Sequence, residues 1–270
     1  MFNGCTMYPK KSWDTVNSPT TKMAKVYGKY SAGCLDGAES LAANANEFQV
    51  MRIARKRFYG HPQLVQFIES HAREVTGSQL GTIAIGDMSQ ARGGPMPGGH
   101  HSHQSGLDVD IWFKRFSESE KNALTLNDLQ NMSAPSMVNE AGTEIDEKQW
   151  QADTIKVLES AASHKKVERI FVNYLIKKQL CVTNKGEKWL SKIRPWWGHT
   201  AHYHVRLACP PNSLTCKAQA TVKETDGCDE TLDWWFTEEA KIDLTELSVP
   251  VIKEVVLPSQ CEAVLHRTPE

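Results

Sequence analysis

No stretch of this chain approaches the roughly twenty consecutive apolar residues that a membrane-crossing helix needs, so no membrane span is expected. An excess of one charge is missing too: Lys and Arg number 31 against 32 Asp and Glu, a net −1. Such a balance gives no electrostatic footprint for nucleic acid, and no nucleic-acid partner is expected. The short basic runs Arg52-Ile53-Ala54-Arg55-Lys56-Arg57 and His164-Lys165-Lys166 read as solvated faces. There is no Cys-x-x-Cys, which removes zinc ribbons and thioredoxin-like redox pairs. No internal repeat is visible. The opening Met1-Phe2-Asn3-Gly4-Cys5 shows neither a charged n-region nor an apolar h-region. If the protein is exported, its signal is therefore expected to be absent from this form.

What is present begins with seven cysteines. Several sit among turn formers, as in Ala32-Gly33-Cys34 and Asp226-Gly227-Cys228, and most fall in the second half. They read as disulfides of an oxidising compartment rather than as buried cytosolic thiols. Six cysteines allow about fifteen pairings, and spacing alone does not choose among them. Cys5, near a polar terminus, is the expected odd one. At 270 residues the chain can bury a substantial core.

Residues 1–33, rich in Ser, Thr, Lys and Gly, read as an irregular lead-in. His61-Pro62 followed by Leu64, Val65, Phe67 and Ile68 predicts a helix over 62–76, with Pro at its first position. Thr82-Ile83-Ala84-Ile85 predicts a buried strand. Residues 86–106 hold six glycines and two prolines, and a loop of that length is more often functional than idle. Leu107, Val109, Ile111 and Phe113 then alternate with Asp108, Asp110 and Trp112. A strand there buries the apolar set and aims both aspartates at the opposite face. Residues 114–147 read as a polar excursion, 148–163 as a helix, 167–172 as a strand and 173–181 as a short helix. A second period-two segment follows, in which His202, His204 and Arg206 alternate with Tyr203, Val205 and Leu207. Past Cys228, Trp234-Trp235-Phe236 precedes a tail rich in Lys, Glu, Thr and Val.

Six of the ten histidines fall within 98–110 and 197–207. On a strand, His202 and His204 share an outlook while Tyr203 and Val205 pack below. If the two strands pair, Asp110 and His204 approach a common point, and His103 can fold back from the loop. Two imidazoles and a carboxylate are the ligand types and number of a catalytic zinc centre, which keeps one position open. Copper or nickel would also accept imidazole. Because the two stretches must meet, one domain is expected rather than two.

At these residues the sequence resembles the penicillin-insensitive murein endopeptidases, within the wider lysostaphin, D-Ala-D-Ala metallopeptidase and hedgehog-like fold group. The wider pattern, H-x6-D and later H-x-H, stands here as His103…Asp110 and His202-x-His204. The closer match includes Tyr59-Gly60-His61-Pro62, Ile85-Gly86-Asp87-Met88, Gly98-Gly99-His100, Ser102-His103-Gln104 and Gly106-Leu107-Asp108-Val109-Asp110-Ile111. It continues through Arg169-Ile170-Phe171-Val172-Asn173, Arg194-Pro195-Trp196 and His204-Val205-Arg206-Leu207-x-Cys209-Pro210. The resemblance implies that His103, Asp110 and His204 bind Zn2+, and that His202 is catalytic beside them, with His199 and His100 in the same site. It implies the disulfides Cys34–Cys261, Cys181–Cys228 and Cys209–Cys216. It also implies a substrate, the peptidoglycan cross-link between D-alanine and meso-diaminopimelate, and with it a periplasmic location.

Other residues keep two readings. Asp108 either orients a ligand imidazole or solvates the sheet, and Arg206 either binds a substrate carboxylate or forms a structural ion pair. Trp196 and Trp197 either wall a cleft or join the core, and His101 reads as an exposed loop residue. The expectation is an α+β fold with a central mainly antiparallel β-sheet, flanking helices and long loops, stapled by disulfides. Its divisions are a lead-in over 1–33, a single metallopeptidase domain over 34–261 and a tail over 262–270. The rival activities are a D,D-carboxypeptidase with the same site and a non-catalytic zinc-dependent wall-binding protein.

Overall fold

Period-two alternation in two distant segments builds the centre of the sheet, as their patterns require. The computed structural model describes residues 12–97, 102–241 and 256–268, so Cys5, His100 and His101 lie outside the described residues. In chain order the strands are β1 (Lys25–Lys29), β2 (Ala32–Asp36), β3 (Glu39–Ser40), β4 (Phe48–Val50) and β5 (Tyr59–Gly60). They continue as β6 (Thr82–Ile85), β7 (Asp108–Phe116), β8 (Val167–Val172), β9 (Ile193–Pro195) and β10 (His202–Leu207). The helices are α1 (Pro62–Gly77), α2 (Glu118–Ala123), α3 (Leu126–Asn131), α4 (Thr154–Ser163), α5 (Tyr174–Asn184), α6 (Glu230–Asp233) and α7 (Gln260–His266).

Six strands form the main sheet in the order β4-β6-β7-β10-β8-β9. Its three inner pairings are antiparallel and the two outer ones parallel. The fold is therefore α+β with a mainly antiparallel sheet. One face carries Val109, Ile111, Tyr203, Val205, Ile170 and Val172, all buried against Leu64, Phe67 and Ile68 of α1 and Val157, Leu158 and Ala161 of α4. Each fully buried Leu, Ile, Val or Phe contributes about 1.5–3 kcal/mol. Pro62 opens α1 and the His61 imidazole accepts from the Gln63 N–H at 3.1 Å, which satisfies one of the first free amides. A polar thread crosses this apolar layer. His71 lies 3.0 Å from the Tyr203 hydroxyl and 3.1 Å from the Ser160 hydroxyl, tying α1 to β10 and α4. Burial, with His164 nearby, pushes the His71 pKa down to about 3 and keeps it neutral.

Several boundaries differ from the sequence reading. The lead-in over 1–33 is not wholly irregular: β1 pairs antiparallel with β2 through Gly28 and Gly33, and Val26 is fully buried. The helix expected over 148–163 starts at Thr154, with Trp150 packing from the preceding turns. The excursion over 114–147 holds α2 and α3, each started by a capping box, Ser117 with Glu120 and Thr125 with Asp128. Leu124, Leu129 and Met132 of that segment cover Trp112, Phe116 and Met51 on the other face of the sheet.

The tail expected over 262–270 includes most of α7. Its last carbonyls, on Val264, Leu265 and Arg267, accept from the guanidinium of Arg92, which is 1% exposed. The glycine-rich loop is thus pinned to the C-terminal helix.

The sulfurs of Cys34–Cys261, Cys181–Cys228 and Cys209–Cys216 are bonded, with Cα–Cα separations of 5.7, 5.6 and 5.8 Å. These are the three pairs that the resemblance implies. In denaturant without reductant, thiol titration should find no more than one free thiol per chain, that of Cys5. A count of five or more would remove the oxidising-compartment inference.

Candidate active site

The register between β7 and β10 sets His204 opposite Asp110, Arg206 opposite Asp108 and His202 opposite Trp112. Because side chains alternate, all of these project from the face away from α1 and α4. On the other side of β10, β8 places Phe171 opposite His204 and Arg169 opposite Arg206. His103 arrives from the glycine-rich loop in a left-handed conformation, φ +66°, with its N–H donating to Asp108 Oδ2 at 3.1 Å. The loop can close beneath His103 only because residue 93 is glycine. A Cβ there would sit 2.1 Å from the Gln104 carbonyl oxygen, and its φ is also +66°.

His103 Nε2, His204 Nδ1 and His202 Nε2 lie 3.4, 3.0 and 3.5 Å from one atom, Asp110 Oδ1. That oxygen is buried, yet it makes no aligned hydrogen bond. One ligand-type atom each of His103, Asp110 and His204 thus gathers around a common point. Ligand bonds of about 2.0–2.1 Å in tetrahedral array place donor atoms about 3.3 Å apart. His103, Asp110 and His204, all buried and with ligand atoms within 4.8 Å of one another, therefore fit a small divalent cation. His202, with a side chain 31% exposed, stands at the edge of that trio.

Asp108 resolves one of the two-way readings. It is wholly buried, and its Oδ1 accepts from His204 Nε2 at 3.0 Å and from Arg206 Nε at 2.6 Å. It fixes the tautomer that leaves His204 Nδ1 free for a cation, the usual role of a carboxylate behind a ligand histidine. Burial alone would raise the Asp108 carboxyl, but Arg206 and His204 override it and hold it below the ordinary carboxylate range. Asp110 is depressed in the same way, burial being overcome by His103 and His202. Burial opposes charge on His204, but the two aspartates push its pKa up to about 9, so a proton and a cation compete for Nδ1.

Arg206 pairs with Asp108, donates from Nη1 to Gln219 at 2.7 Å, and packs over the rings of Tyr30 and Phe171 at 4.1 and 5.1 Å. It also borders the cavity over the site.

His199 sits in that cavity with its ring centroid 5.1 Å from that of His202. Its Nδ1 lies 2.7 Å from the Trp197 carbonyl, which can only accept, so the proton is on Nδ1 and Nε2 is an acceptor. Burial, helped by His204 and His202, pushes its pKa down to about 3. Its backbone is left-handed, φ +51°, and is held by Asn173 at the start of α5, which donates from N–H to the His199 carbonyl and from Nδ2 to that of Gly198.

Phe171, Trp196 and Trp197 wall the cavity, and Trp196 is 48% exposed, as the cleft reading of the tryptophans has it. Ser31 and Gln219 also line it and carry no sequence signal, because each comes from an aperiodic segment. The arrangement joins a candidate cation site to the neutral imidazole of His199 in one cavity. Such a set can activate water and move protons at an amide.

A family model described as penicillin-insensitive murein endopeptidase matches residues 26–266. Proteins named penicillin-insensitive murein endopeptidase are similar over most of the chain. One from Klebsiella pneumoniae (strain 342) is 40% identical over 256 residues, covering 94% of this chain and 90% of its own. One from Escherichia coli O1:K1 / APEC gives the same identity and coverage, 40%, 94% and 90%. One from Pectobacterium atrosepticum is 36% identical over 267 residues, covering 97% and 91%.

Proposed function

The chain belongs to the penicillin-insensitive murein endopeptidases, and from that premise we propose that it is a periplasmic zinc enzyme cutting D-alanyl–meso-diaminopimelyl cross-links. The observation that carries the zinc reading is the convergence of His103 Nε2 and His204 Nδ1 on Asp110 Oδ1 at 3.4 and 3.0 Å. A cation held there supplies Lewis acidity, both to a water nucleophile and to the scissile carbonyl.

The remaining chemistry belongs to the chain. His202, beside the trio and open to the cleft, takes a proton from water and delivers one to the leaving amine. His199, neutral and with Nε2 as acceptor, orients a substrate N–H or water. His100 joins them on the strength of the resemblance alone. Arg206 commits Nε and Nη1 to Asp108 and Gln219, which leaves Nη2 for a carboxylate of the stem peptide. No serine nucleophile enters this scheme, and β-lactams act by acylating one. Penicillin insensitivity follows.

Purified cross-linked muropeptide dimers test the proposal. They should be converted to monomers, ended by chelator and restored by added zinc. Release of free D-alanine without loss of dimers would replace the proposal with a carboxypeptidase, and full turnover in chelator would remove the metal.

A further inference from the structure

From the wall of the cleft a continuous strip of aromatic rings runs outward, and the hydrolytic scheme does not use it. It begins at Phe171, whose ring lies 5.5 Å from that of His204, and passes to Trp196 at 5.9 Å. From Trp196 it continues to Trp235 at 6.1 Å, then to Tyr174 at 6.4 Å and Phe236 at 5.0 Å. Trp197 braces the middle, 4.8 Å from Trp235 and 5.6 Å from Tyr174. At the far end Lys178 lies over the Phe236 ring at 4.7 Å, and the same lysine lines a second groove with Trp150, Leu175 and Val182.

Two features separate this strip from ordinary core. Trp196 and Phe236, 48% and 36% exposed, are the only large aromatics left exposed among the described residues, and both belong to it. A packing cluster would leave neither ring exposed; exposed aromatic rings joined in one strip are what a binding surface presents. The strip is also built rigidly. The turn bearing Trp235 and Phe236 follows α6, which is capped by Asp229 and tied to α5 through Cys181–Cys228.

We propose that the strip is a subsite for the glycan strand of murein, receiving N-acetylated sugar rings while the peptide cross-link occupies the cleft. The proposal rests on the murein endopeptidase reading and names a further part of the same substrate. The chemistry favours sugar: a pyranose presents a face of polarised C–H groups, and the electron-rich face of an indole or phenol accepts such a face. Continuity favours it as well, because Trp196 belongs at once to the cleft wall and to the strip. A polymeric substrate needs contacts that extend beyond the bond being cut.

Peptide-free glycan strands, prepared by stripping the stems from murein, lack the scissile bond and isolate this contact. The full-length protein should bind them in calorimetric titration. Trp196→Ala and Phe236→Ala should each weaken that binding by about ten-fold, and Trp196→Tyr should restore most of it. On sacculi, kcat/KM of Phe236→Ala should fall at least several-fold more than on a soluble, sugar-free cross-linked peptide dimer. Absence of strand binding by the parent protein, or equal binding by the alanine variants, overturns the proposal. So does preference for free stem peptides over strands, or self-association that buries Trp196 in sedimentation equilibrium. Strand binding without cleavage of the sugar-free dimer would uphold the strip and sink the peptidase reading, so the two fail separately.

Discussion

Exchange of His204 for alanine should give a folded protein that keeps no divalent ion through dialysis and loses at least roughly a thousand-fold in murein hydrolysis. The magnitude follows from the several kcal/mol of charge stabilisation that a metal supplies, each 1.36 kcal/mol being ten-fold. The geometry makes His204 the most sensitive of the three proposed ligands. Its Nδ1 faces Asp110 at 3.0 Å and its Nε2 is held by Asp108 at 3.0 Å, so one ring joins two buried carboxylates. Removing it opens the site and leaves Asp108 to Arg206 and the His103 N–H. The fold should survive, because Tyr203 and Val205 on either side remain in the opposite layer.

Asp108→Asn is the graded companion: the shape stays but the charge behind the ligand goes, and metal affinity should fall about 10–100-fold. It should also cost stability, since breaking a buried ion pair exposes the partner to a penalty of about 3–5 kcal/mol. Metal content by atomic absorption and unfolding in urea read the two effects separately. A His204→Ala protein that retains stoichiometric metal would remove this residue from the ligand set.

The legible parts of this molecule are those where periodicity and burial agree. The apolar alternation of β7 and β10 gave the shared face of Asp110 and His204, while their direct register is set by the sheet, since a slip of two residues would keep the same faces. Helix α1 was equally clear, because Pro62 and the 64, 65, 67, 68 spacing mark both its start and its inner face. Less was readable where long-range contacts do the work. Strand β1 buries one apolar side chain completely, Val26, amid lysines and a glycine, so its pattern resembles a turn. Helix α7 has seven residues, too few to persist alone, and depends on Cys34 and Arg92 from elsewhere in the chain.

In the site, the sequence supplied the ligand types but could not choose between the two readings of Asp108 and Arg206. Their mutual 2.6 Å contact, with His204 on the same oxygen, shows that Asp108 orients that ring and that Arg206 forms an ion pair, while Arg206 still borders the cavity. Trp196 and Trp197 are alike: two adjacent tryptophans beside a strand fit core or cleft until exposure is known.

His202→Ala should separate metal binding from turnover. The variant should retain the parent's metal content through dialysis, while kcat on muropeptide dimers falls about 10²–10⁴-fold, the usual range for a lost general acid or base. The argument lies in where the ring stands. His202 Nε2 is 3.5 Å from Asp110 Oδ1, the longest of the three imidazole contacts, and its side chain is 31% exposed while those of His103 and His204 are 2% and 5%. A fourth tight ligand would fill the position that a reacting water needs; a ring at the rim leaves it free and stays within reach of the proton. His199, 5.1 Å away by ring centroid and fixed by the Trp197 carbonyl, cannot turn to replace it. His202→Gln sharpens the test, because an amide can hydrogen-bond but cannot carry a proton across. If Gln restores turnover, His202 orients rather than transfers; if alanine strips the metal, it is a ligand and the open position must be sought elsewhere.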